Sequence, residues 1–140
     1  MRQDLEDKLA QEFSFMEGKN VWTDKATGYP MGCECDDGWF GLIYNMCKEI
    51  NQLYIKKGAD ILALRVLQIK EKYSTLNVYL SNYIDGVDEI VDKYESLSST
   101  TCEHCGNPGV VCIKGGWYKT LCSSCAKKQG FKICESWELY

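Results

Sequence analysis

The sequence predicts an α+β protein: amphipathic helices packed on a small antiparallel β-hairpin or sheet, with a cysteine-rich zinc ribbon or treble clef at the C-terminal end. Three observations carry this reading. Segments near residues 38–57 and 84–98 repeat apolar residues at helical spacing. Between them, "ILALRVLQIK" and "TLNVYLSN" are rich in strand-forming residues, and the second alternates apolar with polar. Beyond residue 101, two C-x2-C pairs stand 16 residues apart.

The elements follow in chain order. Leu5, Leu9 and Phe13 recur every fourth residue over 3–14, the mark of a short amphipathic helix. Residues 19–37 hold turn formers, no periodicity and a Cys-x-Cys step, and read as an irregular loop. In the helix over about 38–57, Phe40, Ile43, Cys47, Ile50 and Tyr54 share one face, flanked by Trp39, Met46 and Leu53. Asp37 is its expected N-cap and Gly58 its stop.

A hairpin over about 61–82 turns near "EKYS", with Leu76, Val78 and Leu80 directed inward. In the helix over about 84–98, Ile84, Val87, Ile90 or Val91, Tyr94 and Leu97 form the buried stripe. Asp85, Asp88, Glu89, Asp92 and Glu95 form its exposed face. The polar stretch "SLSSTT" then connects this body, residues 1–101, to a metal module over 102–140.

Composition narrows the class. A chain of 140 residues with 45% hydrophobic residues and two prolines suits one packed unit rather than a disordered one. No run approaches the roughly 18 apolar residues of a membrane span. The charged start "MRQDLEDKLAQEF" lacks the apolar stretch of a secretory signal, so the expected location is the cytoplasm. In that reducing setting nine cysteines favour metal ligation over disulfides.

Cys102, Cys105, Cys122 and Cys125 are the expected ligands of one structural Zn²⁺. Two residues between cysteines let a tight turn aim both sulfurs at one ion, and a site closed by four thiolates leaves no position for a catalytic water. The glycines between the pairs suit a hairpin. "AKKQG" after the second pair suits a short helix, so ribbon and treble clef both stand. His104, inside the first pair, is expected to face outward. Cys33, Cys35 and Cys47 are a second candidate metal cluster, with Cys134 or Cys112 as a fourth member, against the plainer reading that these thiols pack in the core or its loops.

Catalytic signatures are missing. The chain has a single histidine and no phosphate-binding glycine loop, nucleophile elbow or H-E-x-x-H motif, so a non-enzymatic role is expected. The formal net charge is −4, and a zinc ion with four thiolates takes it to about −6, which opposes nucleic-acid binding overall. Two surfaces stand out as partner sites. One is the acidic helix face just named; the other combines Lys114, Lys119, Lys127 and Lys128 with Trp117 and Tyr118 and suits nucleic acid.

Three blocks, "CDDGWFGLIYNMCKEI", "QIKEKYSTLNVYL" and "CEHCGNPG…GGWYKTLCSSC", resemble a family of small phage and prophage zinc-ribbon proteins over about residues 35–125. That family typically carries D-G-W-[FY], K-E-K-[FY]-G-x-L and C-G-x-P-G…G-W-x-x-T-L-C. Ser74 replaces the hairpin glycine, and Cys125 stands where many relatives have histidine, an exchange a zinc ligand permits. The resemblance implies a protein that binds and inhibits a host defence component. An anti-CRISPR inhibitor of an RNA-guided nuclease is the first expectation, and a nucleic-acid-binding accessory or regulatory protein is the alternative.

Overall fold

A computed structural model describes residues 1–19, 22–23 and 25–134. The remainder of the predicted loop, at 20, 21 and 24, and of the metal module, at 135–140, lies outside the described residues. The first helix, α1 (Gln3–Glu12), buries Leu9 and hands the chain at Phe13 to a short 3-10 turn carrying the buried Phe15 and Met16. The expected irregular loop is partly ordered into strands. β1 (Glu17–Lys19) pairs antiparallel with β2 (Ala26–Pro30), and β3 (Cys33–Glu34) follows. Strands this short, with β2 exposed along most of its length, leave no alternation to read.

A 3-10 turn over Asp37–Trp39 opens into α2 (Phe40–Lys57), whose Ile43, Met46, Cys47, Ile50 and Tyr54 are buried. Burying each such apolar side chain contributes about 1.5–3 kcal/mol, so this stripe is a substantial part of the body's core. Gly58 ends the helix with φ 62, a left-handed cap that spares a Cβ clash. Asp37 does not cap α2. Its Oδ1 instead accepts the backbone N–H of Arg2 at 2.8 Å.

The expected hairpin is present as β4 (Arg65–Lys72) and β5 (Thr75–Ser81), and β3 adds in parallel to β4, giving the order β3-β4-β5. The turn at Tyr73 and Ser74 has positive φ at both residues, 49 and 71. That is the two-residue geometry in which glycine is favoured, so Ser74 departs from local preference. Ile69 and Leu76 are buried in the body's core.

The second amphipathic helix is α3 (Val87–Ser98), with Ile84 and Asp85 preceding it rather than lying within it. Its buried face is Val87, Val91, Tyr94 and Ser98, while Leu97, expected inside, is 42% exposed. The exchange has a physical cause. β5 is an edge strand, and α3 closes that edge with side chains: Ser98 Oγ accepts the Leu76 N–H at 2.8 Å and Glu95 Oε2 accepts the Val78 N–H at 2.9 Å. Glu95 is therefore half-buried rather than part of the solvent face, and burial raises its carboxyl above the usual range.

The C-terminal part adds β6 (Val110–Lys114), β7 (Trp117–Leu121), α4 (Ser123–Gln129) and β8 (Lys132–Ile133), with strand order β7-β6-β8. It has its own small core of Cys102, Cys112, Leu121, Cys125 and Ala126, flanked by Phe131. Among the described residues, no helix is long and apolar enough to cross a membrane.

Candidate metal centre

The four predicted ligands arrive from two places. Cys102 and Cys105 lie in a turn closed by Gly106 N–H on the Cys102 carbonyl at 2.9 Å and by Cys102 N–H on the Asn107 carbonyl at 2.7 Å. Cys122 is the N-cap of α4, and Cys125 lies in its first turn. The hairpin β6–β7 spans the interval and brings the pairs together.

Ligand atoms of all four lie within 4.8 Å of one another, and the Cys105 and Cys122 sulfurs are 3.7 Å apart. A tetrahedral ion with metal–sulfur bonds of about 2.3 Å places its sulfurs about 3.8 Å apart, so the cage has the size of one such ion. The Cys125 N–H donates to the Cys122 sulfur at 3.4 Å, which lowers that thiol from 9.0 to about 7. Burial pushes Cys125 the other way, to about 12. Four sulfurs this close, two of them buried, suit a cation that draws off their protons.

The remaining thiols stand apart from this cage. Among the described residues, Cys102, Cys105, Cys122 and Cys125 make up the group able to share an ion; Cys33, Cys35 and Cys47 do not assemble into a second. Those three are buried in the body's core, where desolvation pushes Cys33 up to about 12 and raises Cys35 and Cys47 as well. Packed among the core side chains and outside the four-sulfur group, they fit the plainer reading of buried thiols. Cys112 packs in the core of the metal module, and Cys134 is half-buried at the end of β8 with its N–H on the Val111 carbonyl. His104 is exposed and outside the cage.

Sequence reasoning missed the way the first Cys turn is seated on the body. Glu103, between its two cysteines, is 3% exposed; its Oε2 accepts the Asp36 N–H at 3.0 Å and its backbone carbonyl accepts the Gly38 N–H at 2.7 Å. A Cβ on Gly38 would stand 2.4 Å from the carbonyl oxygens of Cys102 and Glu103, so only glycine permits this approach. The Trp39 indole N–H donates to the Thr101 carbonyl at 2.9 Å, Thr120 Oγ donates to the Ser74 carbonyl at 2.8 Å, and Lys119 pairs with Asp36 at 3.5 Å. The D-D-G-W string was visible in the sequence, but a helix start accounted for it equally well.

Among the described residues, Glu103 Oε1 is buried without a hydrogen-bond partner, and burial pushes the carboxyl from 4.5 up to about 7. A folded-state value above the unfolded one means the folded protein holds this proton more tightly. Its contribution to stability is therefore greatest below about pH 4.5 and declines as pH rises toward 7. Glu103→Gln removes the buried charge and keeps an acceptor for Asp36. The stability of this variant relative to the parent should rise by about 1–3 kcal/mol across that window, read from paired urea titrations in which metal-ligand protonation is common to both.

The proposed partner surfaces are also placed. Asp85, Asp88, Glu89 and Asp92 are exposed, whereas Glu95 is committed to β5. On the basic side, Lys114 donates to the Gln129 carbonyl at 2.9 Å, Lys119 is held by Asp36, and Tyr118 is half-buried. Lys127 and Lys128 are exposed in the last turn of α4, and Trp117 is 75% exposed beside the hairpin turn. No family model, curated protein or solved structure matches this chain.

Proposed function

We propose that this chain is a non-catalytic binding protein, stabilised by one zinc ion in a treble-clef-type module, that occupies a basic surface of a partner protein through α3. The observation that carries the reading is the run of Asp85, Asp88, Glu89 and Asp92. All four are exposed and, among the described residues, none takes part in a salt bridge. Asp88 and Glu89 also suit the first turn of α3, where Asp88 Oδ1 accepts the Glu89 N–H at 3.1 Å. No salt bridge among the described residues draws on the charge of the four carboxylates, which favours encounter with a positively charged surface.

Four soft thiolates in a closed tetrahedral cage favour zinc, acting as a structural ion. The resemblance to phage proteins supplies the kind of partner: a host defence component in the host cytoplasm, with an RNA-guided nuclease first. Such a nuclease carries a basic channel for its nucleic acids, which an acidic face complements. In the test, the tagged chain retains a CRISPR effector or other defence component from host lysate and blocks its cleavage of target. Asp88→Lys with Asp92→Lys loses retention by about tenfold or more. Retention of no defence component, with phage survival unchanged when the gene is removed, would sink the proposal.

A second reading, a nucleic-acid-binding accessory protein, draws on exposed Trp117, Lys127 and Lys128. Mobility shift over a salt series separates the two. Binding that weakens steeply with salt supports this alternative, and no binding at low salt removes it.

A further inference from the structure

α3 closes only part of the β5 edge. Toward the N-terminal end of the helix the two elements part, leaving a groove of about 310 Å³. Its apolar lining includes Leu67, Val78, Leu80, Tyr83, Val87 and Val91, and its rim carries Asp88, Asp92 and Glu95 with no basic residue. Leu67 sits at the β4 irregularity between Val66 and Gln68, where the register skips it, and it is 59% exposed. Tyr83, before α3, is 46% exposed.

The chemistry of the lining selects among occupants. A phosphate backbone is repelled by the rim, and a wholly polar cation makes no use of the apolar lining. Strand addition is closed at Leu76 and Val78, whose outward N–H groups are bonded to Ser98 and Glu95. The volume is at the bottom of the range for small-molecule pockets, which suits one or two anchoring side chains rather than a whole ligand.

We infer that this groove seats an amphipathic, basic helical segment of the partner protein. A bulky apolar side chain enters beside Leu67 and Val87, and neighbouring Lys or Arg side chains meet Asp88 and Asp92. The inference rests on the reading of α3 as the partner-facing helix and adds the requirement for an apolar anchor.

The test uses the full metal-loaded chain and a labelled peptide with Leu and Lys at helical amphipathic spacing, followed by fluorescence anisotropy. Controls are a Lys/Ser peptide of equal charge and a Leu/Glu peptide of equal hydrophobicity. The Leu/Lys peptide should bind saturably, and Leu67→Ser and Asp88→Lys with Asp92→Lys should each weaken it about tenfold, while both controls bind at least tenfold more weakly. Leu67 is exposed, and a circular dichroism spectrum unchanged in Leu67→Ser confirms that its fold is intact.

Equal binding of the Lys/Ser peptide, or binding indifferent to both variants, overturns the inference. So does self-association of the chain that Leu67→Ser abolishes, because a second copy would then be the occupant. If Leu67→Ser keeps full retention of the defence component while the double reversal loses it, the groove inference fails and the acidic-face reading survives. Peptide binding that follows the expected pattern when no defence component is retained supports the groove and removes only the proposed partner.

Discussion

Removing the metal should abolish ordered structure in residues 102–134. The core of this part is Cys102, Cys112, Leu121, Cys125 and Ala126 with Phe131 beside it, and three of those side chains are proposed or neighbouring thiols rather than large hydrocarbons. So little apolar surface cannot offset the conformational entropy of ordering about thirty residues. On the proposed reading a bound ion supplies the difference, on the order of 10 kcal/mol for a four-thiolate site. Chelator titration followed by amide ¹H–¹⁵N spectra should collapse the dispersion of these resonances. Metal analysis of the untreated protein should give one zinc per chain, and Cys122→Ser should reproduce the collapse. Full dispersion in chelator would show that packing alone holds the module and would remove the metal from the account.

Trp39→Ala should cost the body about 3–5 kcal/mol, the range for deleting a fully buried tryptophan. Trp39 is 0% exposed in the main core, and its indole also bonds the Thr101 carbonyl. Trp39→Phe separates the two contributions: it retains most of the packing and loses the hydrogen bond, worth about 1 kcal/mol. Urea unfolding of both variants is the measurement. An Ala variant within about 1 kcal/mol of the parent would show that the site collapses around the deletion.

The long amphipathic helices were legible because periodicity is a property of one segment. Ile43, Met46, Cys47, Ile50 and Tyr54 declare their common face without reference to any other element. Each half of the four-cysteine cluster was legible for the same reason, since C-x2-C encodes a local turn. What escaped depends on pairs distant in sequence. Nothing within α3 marks Glu95 and Ser98 as acceptors for β5, because that role exists only once the edge of the sheet meets the helix. Cys33, Cys35 and Cys47 gave the converse ambiguity, for spacing alone does not separate a buried thiol from a ligand. Short strands such as β3 owe their existence to a neighbour, here β4, and leave no pattern of their own.

The seating of Gly38 and Trp39 against residues 101–103 bears on how this protein can be cut and recombined. The polar stretch before Cys102 looks like a linker, yet a truncation at 101 would strip the Asp36 and Gly38 amides of their acceptors, and a transplanted 102–134 would carry Glu103 buried against nothing. Residues 36–39 therefore travel with the cysteine module in any working chimera. The domain boundary in this chain is a matter of three-dimensional contact, and no single peptide bond marks it.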